Sequence, residues 1–315
     1  DLAMWALHIT EGDEVITSPL TFVCSATCAM LRGAKVVFAD IDPVTYNLDP
    51  KDVEKKITTK TKAIIPVHFG GIPCDIEGFD SLSKKYGVKI VYDAAHATGT
   101  KYKGKSIGGF GDMSVYSFQT NKNMTTLGEG GAVTTNNEEY YRTIEQIKSF
   151  GFQYGPTDEV VQLGFNYRMT KVQSAAGILQ LNKIDRNNSL RNQGMKWLNE
   201  YLKDIPEIIC PRIPDGDYST CHLNTYLLDD ESTGIDPKAF FKILKEEYTV
   251  GISFHYKPVY EWKLLKDQGF NGENTPIAAR VCRQLFQIPV FAHMTEDDYK
   301  YIAWAVKETI RTVKN

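Results

Sequence analysis

Between residue 13 and about residue 150, short apolar runs alternate with stretches of helical pattern, and that alternation constrains the fold more than any other feature. The runs cover residues 14–16, 35–39, 63–69, 88–92, 113–118 and 132–134. Several are nearly continuous in Val, Ile and Phe, as expected of strands buried on both faces. Between them, Asp49-Pro50 supplies an N-cap and an N1 proline, and Asp75 precedes a run to Tyr86 that Gly87 stops. The pattern predicts an α/β fold of three layers, α/β/α, with a mainly parallel sheet between helices.

Residues 170–203 read as one long helix. Thr170-Lys171-Val172-Gln173 is a capping box, and no proline follows until Pro206. Thirty-odd residues at 1.5 Å each span roughly 50 Å, enough to cross one domain and reach another. Past Pro211-Arg212-Ile213-Pro214 the texture changes. A strand-like run at 222–228 leads to a helix opening at Asp236-Pro237, an apolar run at 250–256, and helices over 276–286 and 296–313. The expected division is a large domain over 1–205 that includes the long helix, and a smaller α+β domain over 206–315. The chain opens on Asp1-Leu2-Ala3-Met4-Trp5-Ala6-Leu7, a helical pattern with no cap before it, so a segment upstream of Asp1 is expected.

Composition sets limits. The net charge of −3 gives no reason to expect nucleic acid or an anionic membrane as partner. No apolar run approaches a membrane span. The six cysteines (Cys24, Cys28, Cys74, Cys210, Cys221, Cys282) include no C-x-x-C pair, which suits free thiols in a reducing compartment, the cytoplasm, and argues against a zinc site. Cys24 and Cys28 are read as core residues of a helix.

Four segments carry the chemistry. In Ser117-Phe118-Gln119-Thr120-Asn121-Lys122-Asn123, a lysine follows a strand end, where open α/β folds bind ligands. Desolvation there makes an amine a nucleophile, and a solvated loop lysine is the alternative. In Val91-Tyr92-Asp93-Ala94-Ala95-His96-Ala97, an acid ends a buried run; a buried carboxylate needs a partner, and a helix N-cap is the alternative. Phe22, after Ser18-Pro19, either stacks on a planar ligand or packs in the core. Asn166 and Arg168, in Gly164-Phe165-Asn166-Tyr167-Arg168-Met169, either bind an anion or build a turn.

Taken together and in this order, with Pro66-Val67-His68-Phe69-Gly70-Gly71-Ile72-Pro73-Cys74-Asp75 and the Gly128-Glu129-Gly130-Gly131 closure, these segments resemble the DegT/StrS family of sugar aminotransferases. That family is a branch of the fold-type I enzymes that depend on pyridoxal 5'-phosphate (PLP). The resemblance runs from Gly12 to Thr295. It implies a PLP-dependent transferase large domain and residue roles. Lys122 matches the Schiff-base lysine, Asp93 the acid facing the pyridine nitrogen, and His96 a residue beside the cofactor's ring oxygen. Phe22 matches the aromatic stacked on the pyridine, Ser117 a hydroxyl on the cofactor phosphate, and Asn166 a residue reaching the phosphate from the partner subunit of a homodimer. The family's Ser-Gly-Thr phosphate turn has no counterpart in this sequence.

The implied reaction moves an amino group from L-glutamate to a nucleotide-linked keto sugar by a ping-pong mechanism, with C4 of a 4-keto-6-deoxy sugar as the first candidate position. Inosose or other keto-cyclitol amination is the alternative within the family. A non-catalytic PLP-fold regulator is the alternative outside it. Lysine at 122 argues against the family's sugar dehydratases, which carry histidine there, and Asn121 argues against a desulfurase. No G-x-x-x-x-G-K-[ST] or G-x-G-x-x-G motif supports nucleotide hydrolysis.

Overall fold

The computed structural model describes residues 1–153, 158–270 and 274–314. Six strands form the main sheet: β1 (Glu14–Thr17), β2 (Lys35–Phe38), β3 (Thr61–Ile65), β4 (Lys89–Asp93), β5 (Met113–Ser117) and β6 (Gly131–Thr134), in the order β2-β1-β3-β4-β5-β6. The first five run parallel, with Ile16 opposite Ile64 and Asp93 opposite Val115. Edge strand β6 pairs antiparallel to β5. The six expected runs are these six strands, with some ends extended and others trimmed. The largest trim is at 63–69, where Pro66 removes a donor, Val67 keeps one bridge to Asp93, and Phe69–Gly71 closes a 3₁₀ turn.

Helices cover both faces: α1 (Leu2–Ala6), α2 (Cys24–Met30), α3 (Pro50–Lys56), α4 (Ile76–Tyr86) and α5 (Glu138–Ile147). Side chains of a strand alternate between faces, and the packing follows that period. Val15, Ala63, Ile65 and Val91 join Met4, Ala26, Ala29 and Ile144 on one face. Ile16, Ile64, Ile90 and Tyr92 join Val53, Phe79 and Leu82 on the other. Asp49 and Asp75 cap α3 and α4 through the amides of Lys51 and Gly78, and Gly87, at φ 72°, ends α4.

The expected single helix over 170–203 is two. α6 (Lys171–Leu181) ends in a turn at Asn182-Lys183, and α7 (Ile184–Leu202) restarts there. The capping box at Thr170 is present. The two helices differ in how much they bury. α6 buries only Gly177 and leaves Val172, Ile178, Leu179 and Leu181 exposed, whereas α7 buries Ile184, Asn188, Met195, Leu198 and Leu202.

A second, antiparallel sheet of β7 (Ile208–Ile209), β8 (Asn224–Leu228) and β9 (Leu285–Ile288) follows. Helices α8 (Pro237–Glu246), α9 (Pro276–Gln284) and α10 (Glu296–Lys314) accompany it. Leu198 and Leu202 of α7 share a core with Tyr226, Phe240, Phe286 and Val306. The helix expected over 276–286 stops at Gln284, because Leu285 turns extended and enters β9. The apolar run at 250–256 makes a single bridge, Ser253 to Gln287. There the Gln287 side chain replaces a backbone ladder: its Oε1 accepts from the His255 amide at 2.8 Å and its Nε2 donates to the His255 carbonyl at 2.9 Å. Among the described residues no helix is long and apolar enough to cross a membrane.

Candidate active site

The sheet order reverses at β1, and a crevice at the carboxyl ends of parallel strands is where such folds bind ligands. A cleft of about 1160 Å³ lies there, lined by Phe22 after β1, Asp93 at the end of β4, Ser117 at the end of β5 and Lys122 in the loop beyond. Of the residues singled out in the sequence, these four and His96 share the cleft. Asn166 does not line it. It is exposed, its backbone bridges to Ser149, and its Oδ1 accepts from Arg168 Nε at 3.0 Å.

Lys122 sits in a loop closed on itself. Phe118 N–H donates to the Gly130 carbonyl at 2.7 Å, and Thr126 N–H donates to the Phe118 carbonyl at 3.0 Å. The closure needs glycine: a Cβ on Gly130 would lie 2.1 Å from Thr126 Oγ1, and one on Gly131 would lie 2.5 Å from the Tyr116 carbonyl oxygen. Burial lowers the Lys122 pKa, and Asp93, Cys24 and Glu129 oppose that shift without cancelling it. A buried amine of this kind favours its neutral, nucleophilic form.

The Asp93 carboxylate is held from two sides. Its Oδ2 accepts from Ser25 Oγ at 2.7 Å, and its Oδ1 accepts from the Ala95 amide at 3.0 Å. Ser25 Oγ is in turn 2.9 Å from Thr21 Oγ1. Phe22 is 55% exposed, with its ring 6.1 Å from that of Tyr256, so its face is free for a ligand. Ser117 Oγ accepts from the Gln119 amide at 3.4 Å.

His96 is buried, 4.5 Å ring to ring from His222, and its Nε2 lies 3.5 Å from the Tyr256 hydroxyl. Burial, then the neighbouring His222, holds its pKa well below the usual range, so it is neutral. His222 Nδ1 lies 2.9 Å from Asn123 Oδ1, which ties the residue after Lys122 to the second sheet. Asn123 Nδ2 donates to Asn188 Oδ1 and to the Thr220 carbonyl.

Several cleft residues escaped the sequence reading. Arg191, Tyr256 and Gln287 line the cleft but lie far apart in the chain with no motif to join them, and Ser25 and Asn123 hold Asp93 and His222 without lining it. Cys24, expected in the core, is exposed to the cleft beside Phe22, because α2 starts at the cleft rim. Its thiol is pushed up to about 12, chiefly by the protein around it and then by Asp93. His68 is a core residue: fully buried, it stacks 5.0 Å from Tyr92, and its Nδ1 accepts from the Cys74 amide at 2.9 Å.

The sequence profile of the DegT/DnrJ/EryC1/StrS aminotransferase family matches residues 1–307. The chain belongs to this family. Spore coat polysaccharide biosynthesis protein SpsC of Bacillus subtilis is 34% identical over 98% of this chain and 82% of its own length. Helicobacter pylori PseC, an aminotransferase involved in the biosynthesis of pseudoaminic acid, is 29% identical with a TM-score of 0.89, covering 99% of this chain and 84% of its own. The PLP-form of the sugar aminotransferase Spr1654 from Streptococcus pneumoniae is 25% identical with a TM-score of 0.90, over 99% of this chain and 85% of its own. The chain is thus a PLP-dependent aminotransferase of a sugar aminotransferase family. Its cleft fits the cofactor's chemistry: a desolvated amine, a carboxylate fixed by two donors and a half-exposed aromatic face converge on one space.

Proposed function

We propose that the enzyme transfers an amino group from L-glutamate to a nucleotide-linked keto sugar, with C4 of a 4-keto-6-deoxy sugar as the position aminated. The observation that carries the reading is Lys122, a half-buried amine in a cleft whose opposite carboxylate, Asp93, is already fixed. SpsC and PseC, whose names place them in polysaccharide and pseudoaminic acid biosynthesis, support a sugar acceptor. On this reading Lys122 holds PLP, Asp93 faces its pyridine nitrogen, Phe22 stacks on the ring, Ser117 meets the phosphate and His96 stands beside the ring oxygen.

When bound, PLP supplies an electron sink for the carbon that loses its proton. The protein supplies the rest. Lys122 Nζ, whose ammonium form burial disfavours, takes a proton from the donor's α-carbon once it is free of the cofactor and returns it to the neighbouring position. Asp93, held in place by Ser25 and Ala95, would face the ring nitrogen. Neutral His96 offers a hydrogen bond without adding a charge that would compete with Lys122. Donor and acceptor use one cleft in turn, which gives ping-pong kinetics.

The division into residues 1–205 and 206–315 belongs to the same reading, with the cleft between them. So does a homodimer. Val172 is 70% exposed and Ile178 and Leu179 each 63%, an apolar face on α6 that a second copy covers. Asn166, four residues ahead of the α6 N-cap, is thereby brought to the partner's phosphate site.

The test is the absorbance of the full chain with PLP, before and after L-glutamate, beside Lys122→Ala. The lysine-linked cofactor band should appear, shift with glutamate and be missing in the variant. Nucleotide-linked 3-keto and 4-keto sugars then follow. Turnover of only the 3-keto sugars moves the position; turnover of inososes alone refutes the acceptor class.

A further inference from the structure

The Phe69-Gly70-Gly71 turn contributes no side chain to the cleft lining; it makes room for another segment. The Gly70 carbonyl accepts from the amides of His222 and Leu223 at 2.9 and 3.3 Å, and a Cβ on Gly71 would lie 2.0 Å from Thr220 Oγ1. Thr220 Oγ1 in turn donates to the His96 carbonyl at 2.6 Å. Residues 220–223 are thereby held against the His96 turn. The His222 ring, half-buried, stands in the wall of the cleft, 4.5 Å from the ring of His96.

What that ring can bind depends on which nitrogen carries its proton. Two backbone carbonyls decide it. The Thr98 carbonyl can only accept, so the Asn188 atom 3.0 Å away is Nδ2, and Asn188 Oδ1 is left as an acceptor. The Thr220 carbonyl orients Asn123 in the same way. Asn123 Nδ2 donates to it at 2.9 Å and to Asn188 Oδ1 at 3.0 Å. Asn123 Oδ1 is therefore the atom 2.9 Å from His222 Nδ1, and it has no proton to give. The proton in that bond belongs to Nδ1. The amide chain has little room to turn: Asn188 is fully buried, and a Cβ on Gly99 would lie 2.7 Å from its Nδ2.

The Nδ1 partner is a neutral amide, which gives an imidazolium no counter-charge, and burial, then Lys122 and Arg191, also favour the neutral ring. A neutral ring protonated at Nδ1 has a bare lone pair at Nε2. Among the described residues Nε2 makes no hydrogen bond, and the ring lines the cleft. Such an atom repels carboxylate and phosphate oxygens, which offer lone pairs of their own, and takes a hydroxyl.

We propose that Asn123 and Asn188 lock His222 as the Nδ1–H tautomer, and that its Nε2 accepts a hydrogen bond from the hydroxyl next to the keto group of the acceptor sugar. The inference rests on the sugar aminotransferase reading, in which His96 stands beside the cofactor's ring oxygen and His222 beside His96. Asn123 and Asn188 are positioning residues, and His222 selects among acceptors.

Nitrogen NMR spectra of the PLP-loaded enzyme, labelled in its histidine rings, test the lock. At neutral pH His222, assigned by the loss of its signals in His222→Asn, should show a protonated Nδ1 and a bare Nε2. Asn123→Ala should bring in the Nε2–H form. A protonated Nε2 in the parent, or no change in Asn123→Ala, would overturn the proposal.

Kinetics test the hydroxyl. The amide of His222→Asn still donates to Asn123 but offers nothing at the Nε2 position. Its kcat/KM for a nucleotide-linked 4-keto-6-deoxy sugar should fall about tenfold. For the 3-deoxy counterpart of that sugar, and for L-glutamate, kcat/KM should be unchanged. His222→Gln, which can place an amide oxygen where Nε2 was, should recover part of the loss. Equal losses with both sugars would make His222 a structural residue and overturn the proposal, as would no loss with either. If His222→Asn does not fold, the parent must still prefer the sugar with the 3-hydroxyl about tenfold over its 3-deoxy counterpart; equal use of both overturns the proposal. An enzyme that turns over no keto sugar yet keeps the Nδ1–H tautomer would refute the proposed reaction while upholding the lock.

Discussion

Ser25 Oγ donates to Asp93 Oδ2 at 2.7 Å, joining the first turn of α2 to the last residue of β4. Thr21 stands behind Ser25, and the Ala95 amide holds the other carboxylate oxygen, so the acid cannot rotate freely. A hydrogen bond to a charged group contributes about 1.5–3 kcal/mol. Ser25→Ala should therefore weaken PLP binding about tenfold, and Asp93→Asn, which removes the charge itself, should lower kcat far more. PLP titration by fluorescence, paired with single-donor kinetics, tests both. A Ser25→Ala enzyme with unchanged PLP affinity would show that the serine does not orient the acid.

Lys122 carries a stability signature that is independent of turnover. Its folded-state pKa lies below its unfolded value, because burial penalises the ammonium form. Between those two values the unfolded chain binds the extra proton, so stability rises with pH across that window and is reduced below it. In the cofactor-free protein, Lys122→Met should raise Tm at neutral pH. The gain should shrink as pH climbs toward about 10.4, the ordinary lysine value. Thermal melts of both proteins at several pH values decide it; a variant less stable than the parent at pH 7 would mean that the amine has a partner that burial does not reveal.

The main sheet was legible because its strands are buried on both faces. Runs such as Val15-Ile16 and Ile64-Ile65 have no polar side to disguise them, and each face has its own core. Asp93, Ser117 and Lys122 were legible because strand ends and a glycine closure bracket them in sequence. The break at Asn182-Lys183 was not. Neither residue is a helix breaker, and the break separates a mostly exposed α6 from an α7 that buries one face. Arg191, His222 and Tyr256 were hidden for a related reason. Their meaning comes from contacts across the cleft, to Val290, Asn123 and His96, and no local pattern records a contact of that range. Leu285-Phe286 continues an apolar helical period, so the sequence alone extends the helix to 286, and only pairing with β8 reveals strand β9.

The buried histidines predict acid sensitivity. Burial lowers the His68 pKa to about 3, and His96 and His222 are likewise held well below the usual value. In the unfolded chain each takes a proton near pH 6.5, so the unfolded state binds more protons below that pH and stability falls as pH drops. Each such histidine contributes a slope of about 1.4 kcal/mol per pH unit in the window. Denaturant midpoints between pH 7 and pH 4 should fall steeply, and His68→Gln should flatten the curve. A variant with the parent's slope would show that His68 is not a source of the acid loss.

The shared-site dimer can be tested by mixing two inactive enzymes. If Asn166 serves the partner's cofactor, each site takes Lys122 from one chain and Asn166 from the other. Lys122→Ala and Asn166→Asp homodimers should each be nearly inactive. Equal mixtures, unfolded and refolded together, should recover about a quarter of parental activity, because half the dimers are hybrids and each has one intact site of two. Ile178→Asp places a charge on the exposed α6 face and should yield monomers in sedimentation experiments, abolishing the recovery. Activity in mixtures no greater than the sum of the two separate enzymes would confine each site to a single chain, and the apolar face of α6 would then need another occupant.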